Sequence, residues 1–361
     1  MQPQKHLIIS DRIFRVVLFT AATVVITAGV IYSSTFITIM MMAFFISIVA
    51  AHPVAWLDKK KVPHVLSVIL VLLGILLIIS GLSSLIGTSV SGFTSHLGKY
   101  ESRLQGILLS TIDEMNRLGI SLSKERLTQL FDPGKILGFT ASTLGQLGNL
   151  MSNATLIFFI VLFALLEMNS IALKWKVFGA SATGKTIKNL GRIESSVRHY
   201  LVIKTITSLL TGVLVGGLMA ILGVEYAILW GLIAFLLNYI PNIGSIVAAI
   251  PAVLFAWIQL GFVAMIWAMV IFVFVNLLIG YLIEPRVMGR GLGLSNLVVL
   301  LSLIIWGYML GIVGMFFSVP LTMTLKIILE QNETTMPLAA LLGTDDDARK
   351  LIEKKKMDIA E

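Results

Sequence analysis

Few charged side chains in this chain could do chemistry, and they lie at the ends of long apolar stretches. Between Lys204 and Lys326 the sequence has four of them: Glu225, Glu284, Arg286 and Arg290. A charge in apolar surroundings is expensive, so these groups are candidates for proton transfer or gating. Two alternatives stay open. Glu225 would be solvated at the protein surface, and Glu284 and Arg286 could form a structural pair that fixes the adjoining loop.

Uncharged polar side chains form a second group of candidates, centred on a proline. Pro241 cannot continue a helix because it lacks an N–H and its ring clashes with the preceding turn. We expect Asn242 and Ser245 to cap the helix that follows. The opposed helix ends would then offer carbonyl groups to a cation and N–H groups to a polar solute. Asn238 and Asn276 could contact the same ligand or only join helices by hydrogen bonds, and Asn276 needs a partner on another helix.

Composition and spacing exclude several other kinds of chemistry. The chain has no cysteine, and its five histidines show no metal-ligand spacing. Residues 179–186, GASATGKT, have the spacing of a phosphate-binding loop, but they leave no room for the strand and helix that such a loop needs. We therefore expect no enzyme activity, no metal, no bound cofactor and no nucleotide.

The composition is that of an integral membrane protein. Hydrophobic residues make up 57% of the chain and charged residues 13%, against about 25% charged residues in soluble domains. The net charge of +8 comes from Lys and Arg in short connections beside apolar stretches. These residues fit the positive-inside rule better than a nucleic-acid surface, and they place both termini in the cytoplasm. We expect a multi-pass protein in the lipid bilayer with no nucleic-acid partner.

Six apolar stretches have the length of a full transmembrane helix: 13–33, 36–56, 64–88, 150–172, 200–222 and 261–283. The polar segment 93–148 has apolar residues at helical spacing from Leu104 to Leu118. We predict that it forms an amphipathic helical segment outside the cytoplasm. It either caps the protein or contacts another subunit, or it is a connector along the membrane surface.

Two further apolar stretches, 225–258 and 295–328, have the wrong length for a span. Each contains 34 residues, about 51 Å as a straight helix, whereas the hydrocarbon core is roughly 30 Å thick. Each is interrupted near its centre, at residues 238–244 and 307–314, so each half is too short to cross. We predict two re-entrant hairpins entering from opposite faces, because this arrangement keeps the basic residues after the sixth span in the cytoplasm. The alternative has eight spans.

The predicted fold class is an all-α polytopic membrane protein with about six full transmembrane helices and two opposed re-entrant hairpins of broken helix. We divide the chain into three transmembrane helices (1–92), the amphipathic segment (93–148), a fourth transmembrane helix with a basic cytoplasmic loop (149–199), a core with both hairpins (200–330) and a charged cytoplasmic tail (331–361). Broken helices at membrane depth are typical of secondary transporters that bind their substrate at the breaks. The candidate binding residues are Asn238, Pro241, Asn242, Gly244, Ser245, Asn276, Gly307 and Gly311.

Three motifs carry a resemblance to a known family. Residues 238–245 read NYIPNIGS, residues 284–295 read EPRVMGRGLGLS, and glycines 307, 311 and 314 precede Ser318-Val-Pro320. These motifs resemble the autoinducer-2 exporter family, although many members place His-Pro where this chain has Ser295-Asn296. The resemblance implies an inner-membrane permease that forms a homo-oligomer, with a pentamer as one arrangement, and exports autoinducer-2. Other members resemble sodium(lithium)/proton antiporters.

The residues and the resemblance leave three hypotheses for the function. The first is a secondary transporter that exports a small polar solute, autoinducer-2, with Na⁺ or H⁺ as the coupling ion. The second is a sodium(lithium)/proton antiporter. The third is a membrane scaffold without transport activity, for which the paired broken helices would have no purpose.

Overall fold

The computed structural model describes residues 5–117, 153–181, 184–241, 243–288, 293–332, 334–345 and 349. Every regular element in these ranges is a helix. The predicted all-α polytopic membrane fold is therefore confirmed. The division of the chain into five parts stays a prediction.

The helices are numbered along the described part of the chain. They are α1 (Lys5–Tyr32), α2 (Ser34–Lys59), α3 (His64–Ser95), α4 (Leu97–Arg117), α5 (Ala154–Ser181), α6 (Gly184–Ile221), α7 (Ala227–Leu237), α8 (Gly244–Leu260), α9 (Phe262–Asn276), α10 (Glu284–Met288), α11 (Asn296–Leu329) and α12 (Met336–Leu342). A π-helical segment, Leu277–Ile283, joins α9 to α10 without interruption.

Six of these elements lie at the positions of the six predicted full spans. Four of them, α2, α3, α6 and the continuous helix Phe262–Met288, are long and apolar enough to cross a membrane. In the described residues, the apolar parts of α1 and α5, Val16–Tyr32 and Ala154–Met168, are shorter. The prediction of a basic loop between the fourth and fifth spans is wrong. This connection is largely helical, since α5 continues to Ser181 and α6 begins at Gly184. Lys and Arg are good helix formers, so their abundance there marks a polar surface and not a break in the helix.

The first hairpin consists of α7 and α8 and returns to the face it entered. Its two ends are joined because the Glu225 N–H donates to Gln259 Oε1 at 2.8 Å, and Gln259 Nε2 donates to the Gly223 carbonyl at 3.3 Å. The helix α7 ends at Leu237, four residues before Pro241. A proline ring clashes with the carbonyl of the residue four positions before it, which here is Leu237. The predicted hairpin and the position of its break are confirmed.

The second hairpin is α11, which reverses direction at Gly311. That residue has φ +66° and ψ −149°, a conformation that favours glycine. Trp306 Nε1 donates to Thr322 Oγ1 at 3.0 Å, although 16 intervening steps would separate the two residues by about 24 Å in a straight helix. Lys326 Nζ donates to the Gly293 carbonyl and so joins the two ends. The chain folds back here, which excludes the eight-span alternative.

The long helix α6 shows that the two hairpins enter from opposite ends. Arg192, near its start, donates to Glu330 at the end of the second hairpin at 2.9 Å. Gly223, just after α6, lies at the end of the first hairpin. At 1.5 Å per residue these two points are roughly 45 Å apart. The hairpins are therefore opposed, as predicted.

The buried apolar side chains form three clusters around these elements. The largest packs the first hairpin on α6 and α9 and includes Trp230 and Phe255. A second packs the other hairpin on α2 and the first half of α6, with Leu201 and Phe317. The third joins α2, α3 and α5. Both hairpins thus pack on α6, which positions their tips.

The helix α4 confirms the helical spacing predicted from residue 104 onwards. It packs on the end of the first hairpin, where the Tyr100 ring meets the Phe255 ring edge-on with centroids 5.0 Å apart. The rest of the predicted amphipathic segment, residues 118–148, lies outside the described residues, as does most of the charged tail.

Candidate functional site

The tip of the first hairpin lies against the middle of α6. Asn238 Nδ2 donates to Ser208 Oγ at 3.0 Å, and both side chains are buried. Ser208 is about halfway between Arg192 and Gly223 along the chain. Gly244 makes the tight turn possible, because a Cβ there would lie 1.8 Å from the Leu237 carbonyl oxygen.

The predicted capping of α8 by Ser245 is not what the structure shows. Ile243 occupies the N-cap position, and its side chain makes no cap hydrogen bond. Ser245 is half-buried inside the first turn, past the position from which a side chain can act as an N-cap. Asn242 lies outside the described residues, and Pro241 is half-buried in the turn.

The tips of the two hairpins meet through aromatic rings. The Tyr239 ring, at the first tip, stacks on the Phe316 ring of the second hairpin with centroids 4.1 Å apart. Phe45 from α2 meets both rings edge-on, at 5.8 Å from Tyr239 and 5.1 Å from Phe316. We call Tyr239, Phe316 and Phe45 the tip contact. The two edge-on pairs have the geometry in which aromatic contacts contribute about 0.5–1.5 kcal/mol beyond their buried area.

Gly307 and Gly311, both predicted at this site, shape the second tip. A Cβ on Gly307 would lie 2.8 Å from the Met315 side chain, so the glycine lets the two arms approach. Gly311 is exposed at the reversal itself.

Two more buried hydroxyl groups lie on α6 within one turn of Ser208, and the sequence reasoning missed them. Thr207 and Thr211 are buried beside Ser208. The Thr207 hydroxyl donates to the Lys204 carbonyl at 3.2 Å, and the Thr211 hydroxyl donates to the Thr207 carbonyl at 2.9 Å. Each oxygen keeps acceptor capacity. The available signal was the three-to-four-residue spacing of hydroxyls within an apolar helix.

One buried ion pair joins α6 to α10. Lys204 Nζ donates to Glu284 Oε1 at 2.7 Å, and the two side chains are 6% and 17% exposed. The predicted pair between Glu284 and Arg286 is therefore wrong, since the Arg286 side chain is exposed on α10. Sequence reasoning missed this partner because Lys204 precedes Glu284 by 80 residues along the chain. Arg290 lies outside the described residues.

The other carboxylate candidate, Glu225, has a structural contact at the end of the first hairpin. The Tyr100 hydroxyl of α4 donates to Glu225 Oε2 at 2.7 Å. Burial, followed by the neighbouring Glu225 carboxylate, raises the pKa of the Tyr100 hydroxyl above its usual range. The hydroxyl therefore stays a donor, and the pair fastens α4 to the hairpin.

Within the part of the chain that the structure describes, Asn276 makes no hydrogen bond to another helix, although its position in the sequence suggested one. Its side chain is half-buried, and the π-helical segment begins at the next residue. The widened turn of the π segment changes the direction of the following side chains, and an isolated sequence does not reveal it.

The described residues contain no group of three or more His, Cys, Asp or Glu side chains that could hold a metal ion. Among the described residues, the chemistry near the tips is that of the Asn238 amide, several hydroxyls, aromatic rings and the Lys204–Glu284 pair.

Comparison with known proteins gives consistent matches along most of the chain. A family model described as "AI-2E family transporter" matches residues 20–333. The "AI-2 transport protein TqsA" of Escherichia coli (strain K12) is 36% identical over 329 residues, 91% of this chain and 95% of that protein. A "Putative transport protein" of Haemophilus influenzae is 37% identical over 338 residues, 92% of this chain and 97% of that protein. The "Putative transport protein YhhT" of Escherichia coli (strain K12) is 35% identical over 328 residues, 91% and 94% of the two chains.

Proposed function

The chain belongs to the AI-2E transporter family, and from that premise we propose that it is a secondary transporter that exports a small polar solute, autoinducer-2. Its family and its apolar helices make it a multi-pass membrane transporter. We propose further that an ion gradient drives export, that the protein lies in the inner membrane with both termini in the cytoplasm, and that it assembles as a homo-oligomer.

The observation that carries the proposal is the meeting of two opposed hairpin tips beside the middle of α6. Non-helical backbone at membrane depth is tolerated only where protein buries it or where it lines a watery cavity. Secondary transporters bind substrate where such breaks meet. A membrane scaffold would not need two breaks in contact at half depth.

The side chains near the tips favour an uncharged solute. Asn238, Ser208 and Thr211 offer amide and hydroxyl groups, which match the hydroxyl groups of a sugar-like molecule. The charges of Lys204 and Glu284 neutralise each other, so the described residues near the tips offer no unpaired charge to a phosphorylated solute. The name of the relative TqsA, an AI-2 transport protein, makes autoinducer-2 the first solute to test.

The test is exchange of labelled autoinducer-2 across liposomes that contain the purified protein. Asn238→Ala removes the amide at the first tip and should lower the exchange rate at least about tenfold, equivalent to roughly 1.4 kcal/mol of transition-state stabilisation. Asn296→Ala is the matched control, because Asn296 is exposed at the start of α11, and it should keep the wild-type rate.

Two results would contradict the proposal. Wild-type protein that exchanges no autoinducer-2 would exclude this solute. Equal rates in the two asparagine variants would remove the first tip from the transport pathway.

A further inference from the structure

An uncharged solute does not need the Lys204–Glu284 pair for its binding, yet Lys204 is buried and Glu284 is half-buried. Its N–O distance is 2.7 Å and its side chains are 6% and 17% exposed. A buried ion pair contributes little to stability compared with apolar side chains of similar volume, whereas removing one partner is strongly destabilising. Such a pair suits a switch, because protonating the carboxylate leaves the ammonium uncompensated.

The ion pair lies next to the side chains that are proposed to bind the solute, on one face of α6. Tyr200, Lys204 and Ser208 are spaced four residues apart, so they follow one another along the same side of the helix. Lys204 is one turn from Ser208, about 6 Å along the axis. A movement of Lys204 would therefore displace the hydroxyl that holds Asn238.

The carboxylate sits at a point where the backbone departs from the α-helix. Glu284 follows the π-helical segment directly, and its N–H donates to the Ile279 carbonyl, five residues back. Pi-helical turns are rare and occur frequently at functional sites. The extra residue in the π-helical turn gives the continuous helix Phe262–Met288 a point at which its backbone can change conformation when the ion pair separates.

The surroundings of the pair connect it to the tip contact. The buried Tyr200 side chain lies one turn from Lys204 on α6 and is near enough to interact electrostatically with both Glu284 and Tyr239. Tyr239 also interacts with the Thr205 side chain and stacks on Phe316. In the described residues α10 packs against α6 and the π-helical segment. On those elements Arg286 and Tyr281 are exposed, so Lys204 and Tyr200 are the titratable groups that face the carboxylate.

We infer that Glu284 is the binding site for a coupling proton and that Lys204 is the positioning residue that converts its binding into movement of α6. The inference rests on the proposed function, since it adds an energy source to that transport. The proton adds to a Glu284 carboxylate oxygen, and the neutral acid no longer holds the ammonium. The site then carries one net positive charge, which favours the conformation in which Lys204 reaches water.

The first arm of the test measures accumulation of labelled autoinducer-2 in liposomes. One unit of pH gradient can drive at most about tenfold accumulation if one proton moves per solute. We expect the wild type to approach that value and Glu284→Gln to give no accumulation above equilibrium. Glu194→Gln, an exposed carboxylate on α6 with its own partner Arg198, is the control and should accumulate like the wild type.

The second arm needs no solute. The chain has no cysteine, so Thr205→Cys gives one thiol beside Tyr239. Its rate of labelling by a maleimide, corrected for the rate of a free thiol at each pH, should change between mildly acidic and mildly alkaline buffer. Adding Glu284→Gln should make the corrected rate independent of pH.

Several outcomes would overturn the inference. One is a corrected wild-type labelling rate that does not change with pH. Another is accumulation driven by a sodium gradient at equal pH but not by a pH gradient. A third is recovery of full gradient-driven accumulation in the double variant Lys204→Gln, Glu284→Gln, which would make the pair structural only. Absence of wild-type exchange at equal pH would instead contradict the proposed solute, and the labelling arm would still decide on the proton.

Discussion

Glycines on α6 and α7 determine how closely the first hairpin approaches the helix it packs on. Gly231 lies against Gly212 and Gly216, so that a Cβ on Gly231 would be 2.6 Å from the Gly212 carbonyl oxygen. The four-residue spacing of Gly212 and Gly216 places both on the face of α6 that meets α7. Backbone in contact with backbone is the usual reason for small residues at helix interfaces in membranes.

Gly231→Ala should therefore separate α6 from α7 and weaken the protein. Overpacking of a close contact costs about 1–3 kcal/mol, and we expect a lower midpoint of thermal unfolding in detergent. Gly217→Ala is the control, because Gly217 is on α6 with nothing within 4 Å of a Cβ. It should be neutral or stabilising, since alanine is the better helix former by about 1 kcal/mol. Equal midpoints for the two variants would show that the contact is looser than described.

At the scale of helices, the parts that sequence reasoning predicted well are those governed by local rules. Span length, the proline break before Gly244 and the glycine break at Gly311 are all readable within one segment. The partner of Glu284 could not be predicted in this way, because Lys204 is distant in the sequence and its approach depends on packing. The π-helical segment and the long start of α6 were missed for a related reason: neither has a distinctive residue pattern.

The orientation of the helices leads to a prediction about the two ends of α6. Exposed positions near the two ends of α6 are Gly191 towards its start and Ile221 at its end. In intact cells, Ile221→Cys should react with a membrane-impermeant maleimide, and Gly191→Cys should react only after the cells are opened. The positive-inside rule gives this orientation. Both cysteines labelled from the same side would contradict the opposed hairpins, and a reversed pattern would contradict the cytoplasmic termini.

At the scale of the whole molecule, transport by this fold requires the tip contact to open. Tyr239 and Phe316 come from different hairpins, and their rings stack. Replacing both by cysteine in a chain that has none allows one defined cross-link with a short bifunctional maleimide. We expect the cross-linked protein to lose solute exchange at least about tenfold, whereas the untreated double variant retains measurable exchange. Undiminished exchange after complete cross-linking would show that the tips do not separate during transport.

The packing of both hairpins on α6 has a further consequence. A rotation of α6 by one residue, about 100°, would remove Ser208 from the first tip and Leu201 from the cluster around the second hairpin at once. The helix α6 therefore supports both hairpins, which enter from opposite faces. Neither hairpin can move away from α6 without disturbing the packing of the other. We expect α6 to couple the two faces of the protein, so that opening on one side of the membrane and closing on the other occur together.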